Sequence, residues 1–241
     1  MPTLRTLLLC ASIGLTGCST LHLSSYTQQK DPFEPLNRKM YGLNDTLDRA
    51  LVKPLAQGYA KVTPQPIKTV VNNFFSNLDD VTVTLNDLLQ LKFRQAASDG
   101  SRVLFNSTFG LGGLLDVTQR LEKHHEDFGQ TLGYWGCPSG PYLFLPGIGP
   151  SSVRDGTGLY ADSFASAIGN VSHVPTRNTA WLARSFNARV NLLDQEQVMD
   201  DATVDRYSFI RDAYLMHRQS LVYDGNPPRI RYEEEDEDAE P

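Results

Sequence analysis

The sequence predicts a mainly α-helical fold in a single domain of about 200 residues. Apolar residues recur three and four positions apart along successive segments, alternating two-residue patterns are scarce, and neither a dividing linker nor an internal repeat interrupts the chain. The exception is Gly129 to Val153, 25 consecutive residues without Asp, Glu, Lys, Arg or His, of which ten are Gly or Pro. A proline inside a helix costs about 3 kcal/mol by removing a donor and clashing with the preceding turn, so this run reads as irregular backbone, neither a helix nor a membrane span. Irregular backbone survives beside lipid only where protein covers it or it lines a cavity. The alternative is a long buried loop packed by its own Tyr134, Trp135, Tyr142, Phe144 and Leu145.

Taken in order, residues 1–17 read as a targeting segment: Arg5 supplies a positive start, Thr6 to Leu15 an apolar stretch too short to span a bilayer, and small residues follow. Leu15-Thr16-Gly17-Cys18 resembles the bacterial lipobox, which makes Cys18 the acylated first residue of the mature chain. Several acyl chains, at about 0.8 kcal/mol per buried methylene, form an effectively permanent anchor. Ser19 after the cysteine, by resemblance to proteobacterial lipoproteins, favours delivery to the outer membrane. Residues 18–30 form a lipidated tether, residues 31–225 the helical domain and residues 226–241 a disordered tail.

Within the domain, Asp31-Pro32-Phe33-Glu34 has the form of a capping box, predicting a helix from Asp31 whose stripe is Leu36, Met40, Leu43, Leu47 and Leu51, with Asn37, Arg38, Asn44, Asp45 and Asp48 on its other faces. Pro66 opens the clearest helix, with Ile67, Val70, Val71, Phe74, Phe75 and Leu78 at helical spacing. Asp80 is placed as the cap of a third helix carrying Val81, Leu85, Leu88 and Leu89, and a fourth runs from about Gln95 to Phe105. Beyond the uncharged run, Leu159 to Ile168 is a possible short helix. Trp181, Leu182, Phe186, Val190 and Leu193 mark another, and Tyr207, Ile210, Tyr214 and Leu221 the last, before the stop at Asp224-Gly225-Asn226-Pro227-Pro228.

The net charge of −6 belongs to the end of the chain. Seven acidic residues lie in Glu233 to Glu240, and without them and the signal segment the body holds 21 charges of each sign. A neutral body offers no footprint for nucleic acid. The tail is read as a solvating end, with a docking role as the alternative. Once the signal is removed and Cys18 is acylated, Cys137 is left alone, so no internal disulfide is possible, and its apolar surroundings favour a buried, unreactive thiol. No catalytic motif, metal-ligand spacing or cofactor loop is found. His124-His125-Glu126 is read as a solvated polar face rather than a metal site, and Gly156-Thr157-Gly158 lacks the strand and acidic partner of a dinucleotide fold.

A series of short motifs then falls in a familiar order: Asp31-Pro32-Phe33-Glu34 with Asn37-Arg38 and Asn44; Pro64-Gln65-Pro66; Asn72-Asn73-Phe74; Phe105-Asn106 with Gly110, Gly112-Gly113 and Asp116; Phe128 to Gly133; and Gly140-Pro141-Tyr142 with Leu145-Pro146 and Arg154-Asp155. Together with the lipobox they resemble the MlaA (VacJ) family of outer-membrane lipoproteins, over roughly Asp31 to Asp224. The resemblance implies a ring of helices in the periplasmic leaflet, around an amphipathic channel that withdraws phospholipids misplaced in the outer leaflet. It implies work beside a trimeric porin, delivery to a soluble MlaC-like periplasmic carrier, no cofactor and no bond-breaking chemistry. Gly42, Leu43 and Asn44 correspond to a hinge that gates the channel, although Gly42 and Leu43 depart from the more aromatic family pattern. Thr131, Tyr134, Ser139 and Tyr142 are candidates for the mixed wall that a head group and acyl chains need. Two alternatives stand beside transport: an anchored scaffold that only binds a porin, and a membrane-surface phospholipase.

Overall fold

In a computed structural model of the protein, residues 31–193, 196 and 205–228 are described. The signal segment, Cys18, the tether and the acidic run Glu233 to Glu240 lie outside these residues.

Helix α1 (Glu34–Leu47) passes through a π-helical turn (Asp48–Val52) into α2 (Lys53–Val62). Pro54 has no N–H to return to the preceding turn, and the ladder slips by one residue, with Lys53 N donating to Asp48 O. A long helix α3 (Gln65–Leu89) and α4 (Phe93–Thr108) form an antiparallel hairpin, and an extended segment leads to α5 (Phe128–Tyr134). Strands β1 (Tyr142–Leu145) and β2 (Gly149–Ser152) follow, then α6 (Val153–Ala165), α7 (Val174–Asn191) and α8 (Arg206–Val222). The elements touch in a closed circuit: α1 and the π turn, α2, α7, α3, α5 and α6, α8, and through the β-hairpin back to α1. No helix among the described residues is long and apolar enough to cross a membrane.

Three expectations change here. Helix α1 begins at Glu34, after Phe33, because the Asp31 carboxylate is taken by Asn37 Nδ2 at 2.7 Å and by the Tyr207 hydroxyl. Asp80 caps nothing: it sits inside the 25-residue α3, fully buried, and accepts from Arg102 Nε at 3.2 Å beside Lys123 Nζ at 2.7 Å. The uncharged run is more regular than its Gly and Pro content suggests. Its first residues complete α5, where the Asp127 side chain accepts from Gln130 N at 2.8 Å, and its second half is the hairpin. Tyr142 pairs with Ser152 and Leu145 with Gly149 across a turn that contains Gly147 at φ 72°, a left-handed conformation that favours glycine.

The helices are turned opposite to the usual arrangement of a water-soluble domain. On α1, Asn37 is buried while Leu36, Leu43 and Leu47 are exposed. On α3, Asn77, Asp80, Asn86 and Asp87 face inward while Ile67, Leu85, Leu88 and Leu89 face outward. On α4 the inward residues include Asp99, Arg102 and Asn106, and the outward ones Phe93, Leu104 and Phe105. Among the described residues, 17 polar or charged side chains are buried against nine apolar ones. The small apolar core lies between α1, the hairpin and α8, where Tyr142 meets Tyr207 edge-on at 6.3 Å and Tyr214 at 6.0 Å, and Tyr41 meets Phe144 at 5.5 Å.

Candidate functional site: a polar-framed cavity

A buried charged residue costs several kcal/mol unless partners replace its water, so the polar interior must be a connected network. Arg218 of α8 shows how the elements are joined. Its guanidinium donates to both oxygens of Asp127 at 2.5 and 2.9 Å, and to both oxygens of Asp155 on α6 at 2.9 and 3.1 Å. The Tyr214 hydroxyl also donates to Asp155, at 2.6 Å. Burial pushes both carboxyls up, and Arg218 overrides it, holding Asp127 and Asp155 below the ordinary carboxylate range. The helices cross at glycines: a Cβ on Gly158 would stand 2.7 Å from Gly129 Cα, so the glycine spacing serves close packing of α6 on α5.

Just past α3, Gln90 Nε2 donates to Glu126 at 2.8 Å and Lys92 Nζ donates to the other oxygen of Glu126 at 2.9 Å. Thr131 donates to Asn86 Oδ1 at 2.8 Å, and Asn86 Nδ2 donates to Asp162 at 3.0 Å. His124 Nδ1 lies 2.7 Å from Asp99. His124 and Glu126 are therefore part of the buried frame, contrary to the solvated face that their sequence implied, because α3 and α4 present acids and amides to them. No group of three or more His, Cys, Asp or Glu that could hold a metal ion occurs among the described residues.

This frame supports a cavity of about 320 Å³ walled by α3, the segment before α5, α5 itself, α6, α7 and α8. The wall is mixed. Leu78, Val83, Leu159, Ile168 and Leu221 are apolar, and Asp79, Asp162, Ser163 and Arg184 are polar. Burial raises the pKa of Asp162, favouring its neutral form.

The residues proposed from sequence occupy other places. Thr131 is fully buried in the network behind the wall, and Tyr142 is fully buried in the aromatic core, its hydroxyl without a hydrogen-bond partner among the described residues. Tyr134 is half exposed, with Lys92 Nζ 5.7 Å from its ring centre. Ser139 lies in the loop before β1. Gly42 has open space around it and Leu43 faces outward. Asn44 reaches the hairpin: its Nδ2 donates to Leu145 O at 2.9 Å and its Oδ1 accepts from Gly147 N at 2.9 Å. One turn-pair earlier, Asn37 does the same to β1, donating to Tyr142 O at 3.0 Å and accepting from Phe144 N at 2.9 Å. None of these residues lines the cavity.

Residues 29–221 match the family described as MlaA lipoprotein. The chain belongs to that family. It is 33% identical over 222 residues to the intermembrane phospholipid transport system lipoprotein MlaA of Escherichia coli, covering 88% of this chain and 85% of that one. It is 30% identical over 234 residues to the MlaA of Haemophilus influenzae, covering 92% and 91%. A solved structure, described as the structural basis for maintenance of bacterial outer membrane lipid asymmetry, superposes with a TM-score of 0.69 at 28% identity, covering 80% of this chain and 98% of that one. Within this MlaA fold the cavity residues Asp79, Asp162, Trp181 and Arg184 lie outside the uncharged run that holds the wall candidates Thr131, Tyr134, Ser139 and Tyr142. The signal lies along α3 and its end, where Asn73, Asn77, Asp80, Asp87 and Gln90 recur at helical spacing and mark an inward polar stripe.

Proposed function

We propose that this protein is an outer-membrane lipoprotein, anchored through Cys18, that withdraws phospholipids mislocalised to the outer leaflet and passes them to a soluble MlaC-like carrier in the periplasm. It maintains lipid asymmetry by transport, without bond-breaking chemistry, and works beside a trimeric porin. One observation carries the reading: helices whose apolar faces point outward surround a polar frame and a half-open cavity of mixed wall. In water such an exterior is an aggregation liability; in the hydrocarbon of one leaflet it is the stable orientation. Polar backbone and side chains are then tolerated because protein surrounds them. The cavity gives a head group hydrogen-bonding partners, and Leu78, Leu159 and Ile168 give acyl chains an apolar wall. The phospholipid-transport relatives support the same substrate class.

In this reading Gly42 to Asn44 is the gate. Gly42 is unobstructed and Asn44 is tied to the hairpin tip, so α1 and the hairpin move together. Tyr142 contributes by holding the hairpin on α1 and α8, and Tyr134, at the other end of the uncharged run, offers a half-exposed aromatic surface. The experiment is deletion of the gene, with surface aminophospholipid labelled by a membrane-impermeant amine reagent. Surface phospholipid is expected to rise and detergent resistance to fall, both restored by the wild-type gene and not by Cys18→Ala. Unchanged surface phospholipid in the deletion strain contradicts the proposal and favours a porin-binding scaffold.

A further inference from the structure

The cavity wall carries an ion pair that is open to solvent. Arg184 Nε donates to Asp79 Oδ1 at 2.8 Å, and both side chains are about two-fifths exposed. Arg184 is the single lysine or arginine among the described residues that line the cavity. Its guanidinium lies 5.5 Å from the Trp181 ring centre, and that ring also belongs to the wall. The other wall acids are already engaged. Asp127 is held by Arg218, Glu126 by Lys92 and Gln90, and Asp162 accepts from Asn86 Nδ2 and Phe128 N.

We infer that the Asp79–Arg184 pair is a head-group site selecting phospholipids whose phosphodiester carries a primary ammonium, the ethanolamine type, over purely anionic ones. The inference rests on the transport reading above. A half-exposed ion pair is weak, so it opens at little cost. The phosphate takes the guanidinium, which offers a planar fork of donors, and the ammonium takes the released Asp79 carboxylate. Two charges are exchanged for two charges, and none is left unpaired. A glycerol head group supplies the phosphate alone and leaves Asp79 facing a second anion. A quaternary choline has no N–H to donate to Asp79, and the Trp181 face it could use is occupied by Arg184. On the same cavity wall, Leu78 and Leu159 receive the start of the acyl chains.

The test incubates the full chain, purified in mild detergent, with vesicles of equal parts phosphatidylethanolamine and phosphatidylglycerol of matched acyl chains, and quantifies re-isolated lipid by mass spectrometry. The ethanolamine lipid is expected to be enriched about tenfold over the vesicle ratio, the factor that 1.4 kcal/mol provides. Asp79→Asn is expected to bring that ratio close to one while total bound lipid persists, and Arg184→Gln to lower binding of both lipids. Because the pair is half exposed, both variants should keep the wild-type melting temperature within a few degrees. Bound lipid at the vesicle ratio, or a ratio that Asp79→Asn does not move, overturns the head-group inference and leaves transport standing. Wild-type protein that binds no lipid overturns transport itself. Soluble glycerophosphoethanolamine is the remaining arm: competition as strong as that of the lipid assigns the site to a free phosphoester and contradicts a membrane source.

Discussion

Asp87 on α3 has no exposed surface, and its carboxylate has no hydrogen-bond partner among the described residues. Burial, with Asp99 and Glu126 nearby, pushes its pKa up to about 7. An unfolded chain releases that proton near pH 4, so between about pH 4 and pH 7 the folded state binds one proton more, and stability falls as pH rises through this window and is level above it. Asp87→Asn is expected to remove this slope, worth on the order of 2–4 kcal/mol, which denaturant unfolding at pH 4.5 and pH 8 measures. Arg218 acts with the opposite sign. The carboxyls it holds down contribute stability that is complete above about pH 4 and is lost as pH falls through their lowered pKa values. Arg218→Met leaves Asp127 and Asp155 without their common cation, and a loss of about 3–5 kcal/mol at neutral pH is expected in urea unfolding.

At the scale of elements, α1 and the β-hairpin behave as one unit because two asparagines seven residues apart each use both ends of the amide on strand or turn backbone. Asn37 thereby covers the edge of β1, which in a two-stranded sheet is otherwise open. Asn37→Ala leaves the Tyr142 carbonyl and the Phe144 N–H unpaired in a buried site, with an expected cost of about 2–3 kcal/mol. Hydrogen exchange read on Phe144 should rise in that variant, while the α3–α4 hairpin keeps its protection. The elements themselves were largely legible: the Pro66 start, the fourth helix and the stripes of α7 and α8 all follow from periodicity and breakers. Asp80 misled because an acidic residue after an apolar run looks the same whether it caps a helix or pairs inside one, and its partners Arg102 and Lys123 lie 22 and 43 positions away. The hairpin was hidden because its strands have four residues each and β2 contains Gly149 and Pro150.

At the scale of the whole molecule, periodicity finds the two faces of a helix and is silent on which solvent each face meets. The stripe Leu36, Leu43 and Leu47 was legible; its outward direction was not, since lipid and core are equally apolar to a hydrophobic pattern. Direction follows from the other face. Asn, Asp, Gln and Arg at helical spacing along α3 and α4 find partners in one another and in polar groups of the segment between α4 and α5, so they close inward and the leucines are left outside. Most of the uncharged run braces the ring, and only Gln130 from it reaches the cavity wall. Phospholipid transport requires that the cavity hold phospholipid, which is measured as lipid retained per chain after purification in mild detergent, for wild type and for Leu159→Glu. Leu159 lies on the cavity wall with part of its side chain exposed, so the variant should keep its helical content. About one phospholipid per wild-type chain is expected, and at least a tenfold loss in the folded variant as a carboxylate is placed against the acyl chains. Equal lipid in both proteins, or none in either, would contradict phospholipid transport.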